Sequence, residues 1–139
     1  MIVDGILKHA AYLVQQALSD GDMAIDATVG NGHDILTLAQ QVGAAGRVYG
    51  FDVQPGAIAA TRQRLREADV AQRVALIQAG HEGMNHHVPE SAVGQVGAVM
   101  FNLGYLPGGD KALTTTPATT VAALQHAVRF LRPGGIATV

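Results

Sequence analysis

The stretch Ile25-Asp26-Ala27-Thr28-Val29-Gly30-Asn31-Gly32-His33-Asp34 decides the fold of this 139-residue chain. It joins a short apolar run, Met23 to Ala27, to an amphipathic helix pattern that starts at Asp34 and stops at Gly43. The glycines at positions 30 and 32 allow the backbone between strand and helix to come close to a ligand. We therefore predict a buried strand, a ligand-binding turn and a helix.

The rest of the chain repeats this alternation of short apolar strands and helices. Further strands are predicted over residues 47–53, 73–79, 96–101 and 136–139, and further helices over residues 6–18, 55–68 and 117–131. Residues 80–87 are predicted as a polar loop, and Arg132-Pro133-Gly134-Gly135 as the end of the last helix. The pattern indicates an α/β fold: a mostly parallel sheet with helices on both faces and ligands beyond the carboxyl ends of the strands.

Composition limits the classes of function. The chain is 48% hydrophobic with a net charge of −2, which predicts a single globular domain over residues 1–139 and argues against a strongly basic nucleic-acid-binding surface. There is no cysteine, so disulfides and thiolate metal sites are excluded and a cytoplasmic location fits best. No apolar run approaches the roughly 18 residues that span a bilayer, so we expect no membrane partner.

The residues around the turn indicate the charge of its ligand. A dinucleotide fingerprint reads G-x-G-x-x-G, but Ile35 stands where the third glycine belongs. Asp26 precedes the turn, and its carboxylate suits a cationic ligand better than an anionic pyrophosphate. S-adenosyl-L-methionine carries an ammonium and a sulfonium, so it fits this turn. Asp52, at the end of the second strand, is placed to accept hydrogen bonds from both ribose hydroxyls.

Simpler interpretations of these residues remain open at this point. A G-x-G after an apolar run is often only a tight turn. Asp52 could cap the helix that starts at Pro55, and His33 could be an ordinary loop histidine. The arginines at positions 62, 64 and 66 are interpreted as the solvated side of a helix rather than as an RNA-binding surface.

Histidines after the third strand suggest a metal site that the spacing does not support. His81-Glu82 and His86-His87 lie close together in sequence. A two-histidine site on a helix needs histidines at i and i+4, and position 85 is Asn85. We therefore predict no metal site.

The loop after the fourth strand is the second informative stretch. Methyl transfer from a sulfonium to nitrogen depends mainly on positioning the nitrogen lone pair in line with the S–CH3 bond. The Asn102 side-chain carbonyl could accept hydrogen bonds from the target N–H groups, and Tyr105 offers an aromatic face. An alkylammonium must first lose a proton, for which Asp110 or a water is the candidate acceptor. The alternative is a glycine-proline loop with Asn102 as a turn former.

Taken together, these stretches resemble the class I, Rossmann-like methyltransferases, and more narrowly the rRNA methylase (YtqB-like) family, whose characterised members methylate the aminomethyl group of a modified wobble uridine in tRNA. The resemblance covers essentially the whole chain. It rests on five motifs: Asp26-Ala-Thr-Val-Gly-Asn-Gly-His-Asp34, Gly50-Phe-Asp-Val-Gln54, Gly80-His-Glu-Gly-Met84, Phe101-Asn-Leu-Gly-Tyr-Leu-Pro-Gly-Gly-Asp-Lys111 and Leu131-Arg-Pro-Gly-Gly135.

The resemblance also implies which residues form the site. The S-adenosylmethionine pocket would be lined by Asn31, Gly32, His33, Asp52, Gln54, His81 and Glu82. To these we add the turn residues Asp26, Thr28 and Gly30, together with Asn102. The family itself has Thr28 where many methyltransferases have glycine. Asn102 and Tyr105 would face the amine.

Family members continue past the fifth strand with two more strands, which are missing here. We therefore expect a sheet of order 3-2-1-4-5 whose fifth strand is an uncovered edge, so that the chain is a fragment or another chain, such as a second copy in a homodimer, covers that edge. The leading hypothesis is an S-adenosylmethionine-dependent N-methyltransferase acting on RNA, with a tRNA wobble uridine favoured over rRNA or a small amine. The alternatives are a cofactor-binding module without turnover and a nicotinamide-dependent oxidoreductase.

Overall fold

A five-stranded parallel sheet of order β3-β2-β1-β4-β5 forms the centre of the protein. The computed structural model describes residues 2–102 and 117–139, and the side chains of residues 2–8 and 117 are not part of that description. The order matches the predicted one and reverses between β1 and β4. The α/β, Rossmann-like prediction is confirmed.

The elements follow the alternation read from the sequence. The strands are β1 (Met23–Asp26), β2 (Arg47–Asp52), β3 (Val74–Gln78), β4 (Val96–Met100) and β5 (Leu131–Thr138). The helices are α1 (Ile2–Ala17), α2 (His33–Val42), α3 (Pro55–Glu67), the single turn α4 (Met84–His87) and α5 (Pro117–Phe130). Short 3-10 turns cover Ala71–Arg73, His81–Gly83 and Glu90–Ala92.

Both faces of the sheet are covered, and each strand contributes side chains to two separate cores. Ile25 and Phe51 pack on one face with Met84 of α4 and Phe130 of α5. Ala24 and its neighbours pack on the other face with α1, α2 and α3, through the side chains of Val14, Leu18, Ile35, Leu38 and Leu65. Strands buried on both faces read as continuous apolar runs, which explains why the strands were recognisable without strict alternation.

Several predicted boundaries were wrong, among them the start of α1, which lies at Ile2 rather than at Ile6. α2 begins at His33, one residue before Asp34, because Gly32 adopts the left-handed conformation that ends the turn. Residues 80–87 are not an open loop: they form a 3-10 turn and α4, because the Met84 side chain is fully buried in the core. β5 begins at Leu131 rather than at Ile136, and its register with β4 shifts between the pairs Val96↔Leu131 and Ala98↔Ile136.

The amino end of the sheet is held by one bidentate ion pair. The guanidinium of Arg132, in the irregular part of β5, binds both carboxylate oxygens of Asp22 at 2.8 and 2.9 Å and also donates to the carbonyl of Ala17. The hydrogen bond from Arg132 lowers the pKa of Asp22. The pair joins the end of α1, the start of β1 and β5 at the edge opposite the polar loops.

Candidate functional site

Parallel pairing brings the polar strand ends to one edge of the sheet. Asp26, the last residue of β1, pairs with Gly50 of β2 and with Met100 of β4. β2 therefore extends two residues further, and Asp52 reaches above the end of β1. The carboxyl ends of β1, β3 and β4 lie at this same edge, as the sequence predicted.

The glycine turn has a left-handed backbone geometry that glycine adopts without strain. Gly30 and Gly32 have φ values of +56° and +85°, in the left-handed region that side chains disfavour. A Cβ on Gly32 would also lie 2.7 Å from Oγ1 of Thr61 in α3. The turn thus lies against α3, and the N-terminus of α2 starts directly after it.

Asp26 is buried with half of its hydrogen-bonding capacity unused. Its side chain is 1% exposed; Oδ1 accepts the Thr28 N–H at 3.1 Å, and Oδ2 has no partner. Burial raises the pKa of Asp26 to about 7, the Thr28 hydrogen bond opposes this, and the nearby charges of Asp34 and Asp52 add to it. A buried carboxylate oxygen without a partner is costly unless a cation or donor arrives.

The carboxylate of Asp52 accepts hydrogen bonds from the loop after β1 and from the start of α3. Oδ2 accepts the backbone N–H of Gly30 and Oδ1 accepts that of Gln54, both at 2.9 Å. α3 itself has no side-chain cap at Gln54, so the carboxylate of Asp52 does not act as the N-cap that the simpler interpretation allowed. It fixes the glycine turn against the end of β2 and leaves further lone pairs for a ligand.

Two more predicted residues lie at the junction of β1 and β4. The hydroxyl of Thr28 accepts the backbone N–H of Asn102, and the side chain of Asn102 is exposed. His81 is buried beside this junction, with Nδ1 3.3 Å from the carbonyl oxygen of Ala27 and its ring edge-to-face with Phe101 at 5.6 Å.

The protonation of His81 follows from these contacts. Pairing with a carbonyl requires the proton on Nδ1, so Nε2 is a buried acceptor, and it has no partner. Burial lowers the pKa of His81, against the opposing effects of the Ala27 hydrogen bond and the charge of Glu82. The imidazole is therefore neutral at physiological pH.

The remaining predicted residues are more peripheral. The side chains of Asn31, His33 and Glu82 are exposed, and the carboxylate of Glu82 folds back onto Gly80, where a Cβ would collide with it. Tyr105 and Asp110 lie outside the described residues. Within the described ranges, histidine and acidic side chains nowhere gather in threes as a metal ion would need.

Sequence reasoning missed the support that α3 gives to the glycine turn. The Arg64 Nε donates to the Asn31 carbonyl at 3.1 Å, and the buried Thr61 hydroxyl donates to the Gly30 carbonyl at 3.4 Å. Arg64 is half-buried, so its interpretation as part of a solvated face missed this contact with the turn. No local signal marks this role, because both contacts span more than 30 residues of sequence.

The sheet order, the glycine turn and the acidic ends of β1 and β2 define the Rossmann-like fold of class I methyltransferases. The sequence profile of the family described as "Putative rRNA methylase" matches residues 48–139. The chain belongs to this family.

Relatives and solved structures agree with this assignment. A chloroplastic tRNA (mnm(5)s(2)U34)-methyltransferase of Arabidopsis thaliana is 42% identical over 137 residues, covering 92% of this chain and 49% of the relative. This chain therefore spans about half the length of that relative. A "putative rRNA-methylase" from Clostridium thermocellum superposes with a TM-score of 0.87 at 44% identity, covering 94% of this chain and 68% of that one.

A further solved structure contains a ligand. It is a "putative methyltransferase" from Streptococcus mutans in complex with SAH, with a TM-score of 0.83 and 36% identity over 94% of this chain and 69% of that one. Among residues 2–102 and 117–139, no helix combines the length and apolar character needed to cross a lipid bilayer.

Proposed function

We propose that this chain is the cofactor-binding part of an S-adenosylmethionine-dependent RNA N-methyltransferase that acts on the aminomethyl group of a tRNA wobble uridine. The observation that carries the cofactor half of the proposal is the buried, unpaired Oδ2 of Asp26. The substrate half is supported by family membership and by the name of the Arabidopsis relative.

The charge of the site favours this cofactor over a dinucleotide. Asp34 and Asp52 lie close enough to raise the pKa of Asp26, so the turn is surrounded by carboxylates. Such a site repels a pyrophosphate and attracts an ammonium or sulfonium. When bound, S-adenosylmethionine supplies a methyl group activated by its sulfonium.

The protein's own residues would bind the cofactor and orient the target amine. Asp26 Oδ2 is the candidate partner for the ammonium, and Asp52 for the ribose hydroxyls, on the lone pairs that Gly30 and Gln54 leave free. Backbone N–H groups at the start of α2 are suited to a carboxylate. The Asn102 side chain would accept hydrogen bonds from the amine, Tyr105 would face the amine as the family resemblance implies, and Asp110 or water would take the proton.

Incubation of the protein with S-adenosylmethionine and undermethylated tRNA, followed by mass spectrometry of the nucleosides, tests the substrate. We expect a gain of one methyl group on an aminomethyl-uridine derivative. rRNA and small amines serve as competing acceptors in parallel reactions. Methyl gain only on those acceptors would reject the tRNA assignment, and cofactor binding without any methyl gain would indicate a binding module.

Arg64 gives a prediction about the cofactor turn. Arg64→Ala removes the donor to the Asn31 carbonyl and loosens the turn, so we expect the Kd for S-adenosylhomocysteine, measured by calorimetry, to rise about threefold to tenfold, the range for one lost hydrogen bond. Arg62→Ala is the matched control, because it removes the same charge from an exposed position on α3. Equal affinities in the two variants would contradict a bracing role for Arg64.

Two further assignments are proposals with their own supports. A cytoplasmic location is supported by the absence of cysteine, although the Arabidopsis relative is chloroplastic by name.

Pairing of two copies is supported by the edge position of β5 in the sheet, and sedimentation velocity measures it directly. A concentration-independent monomer would reject the homodimer.

A further inference from the structure

A side-chain hydrogen bond links the cofactor turn to the proposed acceptor residue. Oγ1 of Thr28 accepts the backbone N–H of Asn102 at 2.5 Å, across 74 residues of sequence. Thr28 follows β1 and Asn102 follows β4, so the contact crosses the point where the strand order reverses.

The contact continues the β1–β4 pairing beyond the strands. Asp26 pairs with Met100, and the Ala27 N–H donates to the Met100 carbonyl at 2.8 Å. The next N–H on the β4 side that faces β1 is that of Asn102, and the hydroxyl of Thr28 accepts it in place of a backbone carbonyl. Phe101 between them donates to Thr138 of β5 instead, so the backbone of β4 stays held on both sides up to Asn102.

The position of Thr28 is itself fixed by the buried acid. Its backbone N–H donates to Oδ1 of Asp26 at 3.1 Å, while Oδ2 of the same carboxylate has no partner. One hydrogen-bonded chain therefore runs from the proposed ammonium site through Thr28 to the backbone of Asn102. The side chain of Asn102 is left exposed at the end of this chain.

We propose that Thr28 is a positioning residue for the acceptor, whose hydroxyl holds Asn102 at a fixed distance from the cofactor turn. This inference rests on the proposed function, because Asn102 matters only if an amine is presented to it. It assigns Thr28 a role different from direct cofactor contact. Transfer in line with the S–CH3 bond is sensitive to such placement, because displacements of about 1 Å cost up to a hundredfold in rate.

Two variants separate this role from cofactor binding. Thr28→Val keeps the branched shape and removes the acceptor, whereas Thr28→Ser keeps the hydroxyl. With tRNA as acceptor we expect Thr28→Val to lose at least tenfold in kcat while its Kd for S-adenosylhomocysteine stays within threefold of wild type. Thr28→Ser should keep kcat within about threefold. A Thr28→Val protein with wild-type kcat, or with Kd and kcat impaired to the same degree, would overturn the proposal.

Amide hydrogen exchange provides a readout that needs no substrate. We expect the Asn102 amide to exchange at least tenfold faster in Thr28→Val than in wild type, with the Ala27 amide unchanged, because Ala27 bonds to Met100 in both proteins. An unchanged exchange rate of the Asn102 amide would show that Thr28 does not hold this N–H group and would overturn the proposal. If the exchange result holds but wild-type protein methylates no tRNA, the proposed function fails and the hydrogen bond stands.

Discussion

Replacing Asp26 by Asn is expected to stabilise the ligand-free protein and to abolish most of its cofactor affinity. Asn has the same shape and keeps an oxygen for the Thr28 N–H, but it carries no charge to be buried. At pH 8 we expect the Kd for S-adenosylhomocysteine, measured by calorimetry, to rise at least tenfold, because the ammonium loses its anionic partner. Asp34→Asn is the control, since it removes a nearby charge that is not fully buried.

The stability change has a definite pH dependence. The pKa of Asp26 is raised from 3.8 to about 7 in the folded protein. Between these two pH values the carboxyl group is protonated in the folded state and ionised in the unfolded state. Wild-type stability therefore falls as pH rises from about 4 to about 7, and the full penalty is present above pH 7. Relative to Asp26→Asn, the wild-type protein should lose about 3 kcal/mol of unfolding free energy between pH 5 and pH 8, at about 1.4 kcal/mol per pKa unit.

Urea denaturation of both proteins at pH 5 and pH 8 measures this difference. Wild-type cofactor affinity should also strengthen as pH rises through 7, because only the ionised carboxylate attracts the ammonium, and the affinity of Asp26→Asn should not. Parallel stability curves for the two proteins would show that Asp26 is already ionised at pH 5. Unchanged affinity in the variant would remove Asp26 from the cofactor site.

Asp52→Ala is expected to weaken S-adenosylhomocysteine binding about a hundredfold, or about 3 kcal/mol. The variant loses the proposed ribose acceptors and also frees the N–H groups of Gly30 and Gln54, so the glycine turn loses its attachment to β2. Asp52→Asn should weaken binding almost as much, because one of the two carboxylate oxygens is replaced by an NH2 group that faces a backbone N–H donor. Calorimetry measures both effects.

Glu67→Gln is the matched control for charge, since Glu67 is an exposed carboxylate on α3 bonded to Gln63. It should bind within twofold of wild type. Normal binding by Asp52→Ala would count strongly against the cofactor assignment. A parallel fluorescence titration with NADH distinguishes the oxidoreductase alternative, which requires the wild-type protein to bind the dinucleotide.

The sequence was sufficient for the features that short-range patterns encode. Apolar runs and helix periodicity predicted the strands and the edge of the sheet at which the polar strand ends gather, whereas the strand order was implied by the family resemblance. The glycines at 30 and 32 indicated a turn between strand and helix, and Asp26 and Asp52 at the strand ends were correctly expected at the same edge, because parallel strands place their carboxyl ends together.

What escaped prediction depends on contacts between distant residues. Arg64 looks like its neighbours at 62 and 66 in the sequence, and only the packing of α3 against the turn directs its guanidinium to Asn31. Met84 sits among polar residues, so burial of one side chain converts an expected loop into helical turns. The irregular pairing of Leu131 with Val96 likewise depends on β4 and not on the Arg-Pro-Gly-Gly sequence alone.

The reversal of strand order between β1 and β4 divides the sheet into two halves that carry different residues of the candidate site. Asp26, Asp52 and the supports from α3 lie on the β1–β2–β3 side, whereas Asn102 lies at the end of β4. Under the proposed function, substitutions at the end of β4 would change which nucleophile is presented, while the residues proposed to bind the methyl donor stay intact. Under our proposal, Thr28 is where the two halves meet, so new acceptor specificities must arise around a junction that keeps its hydroxyl.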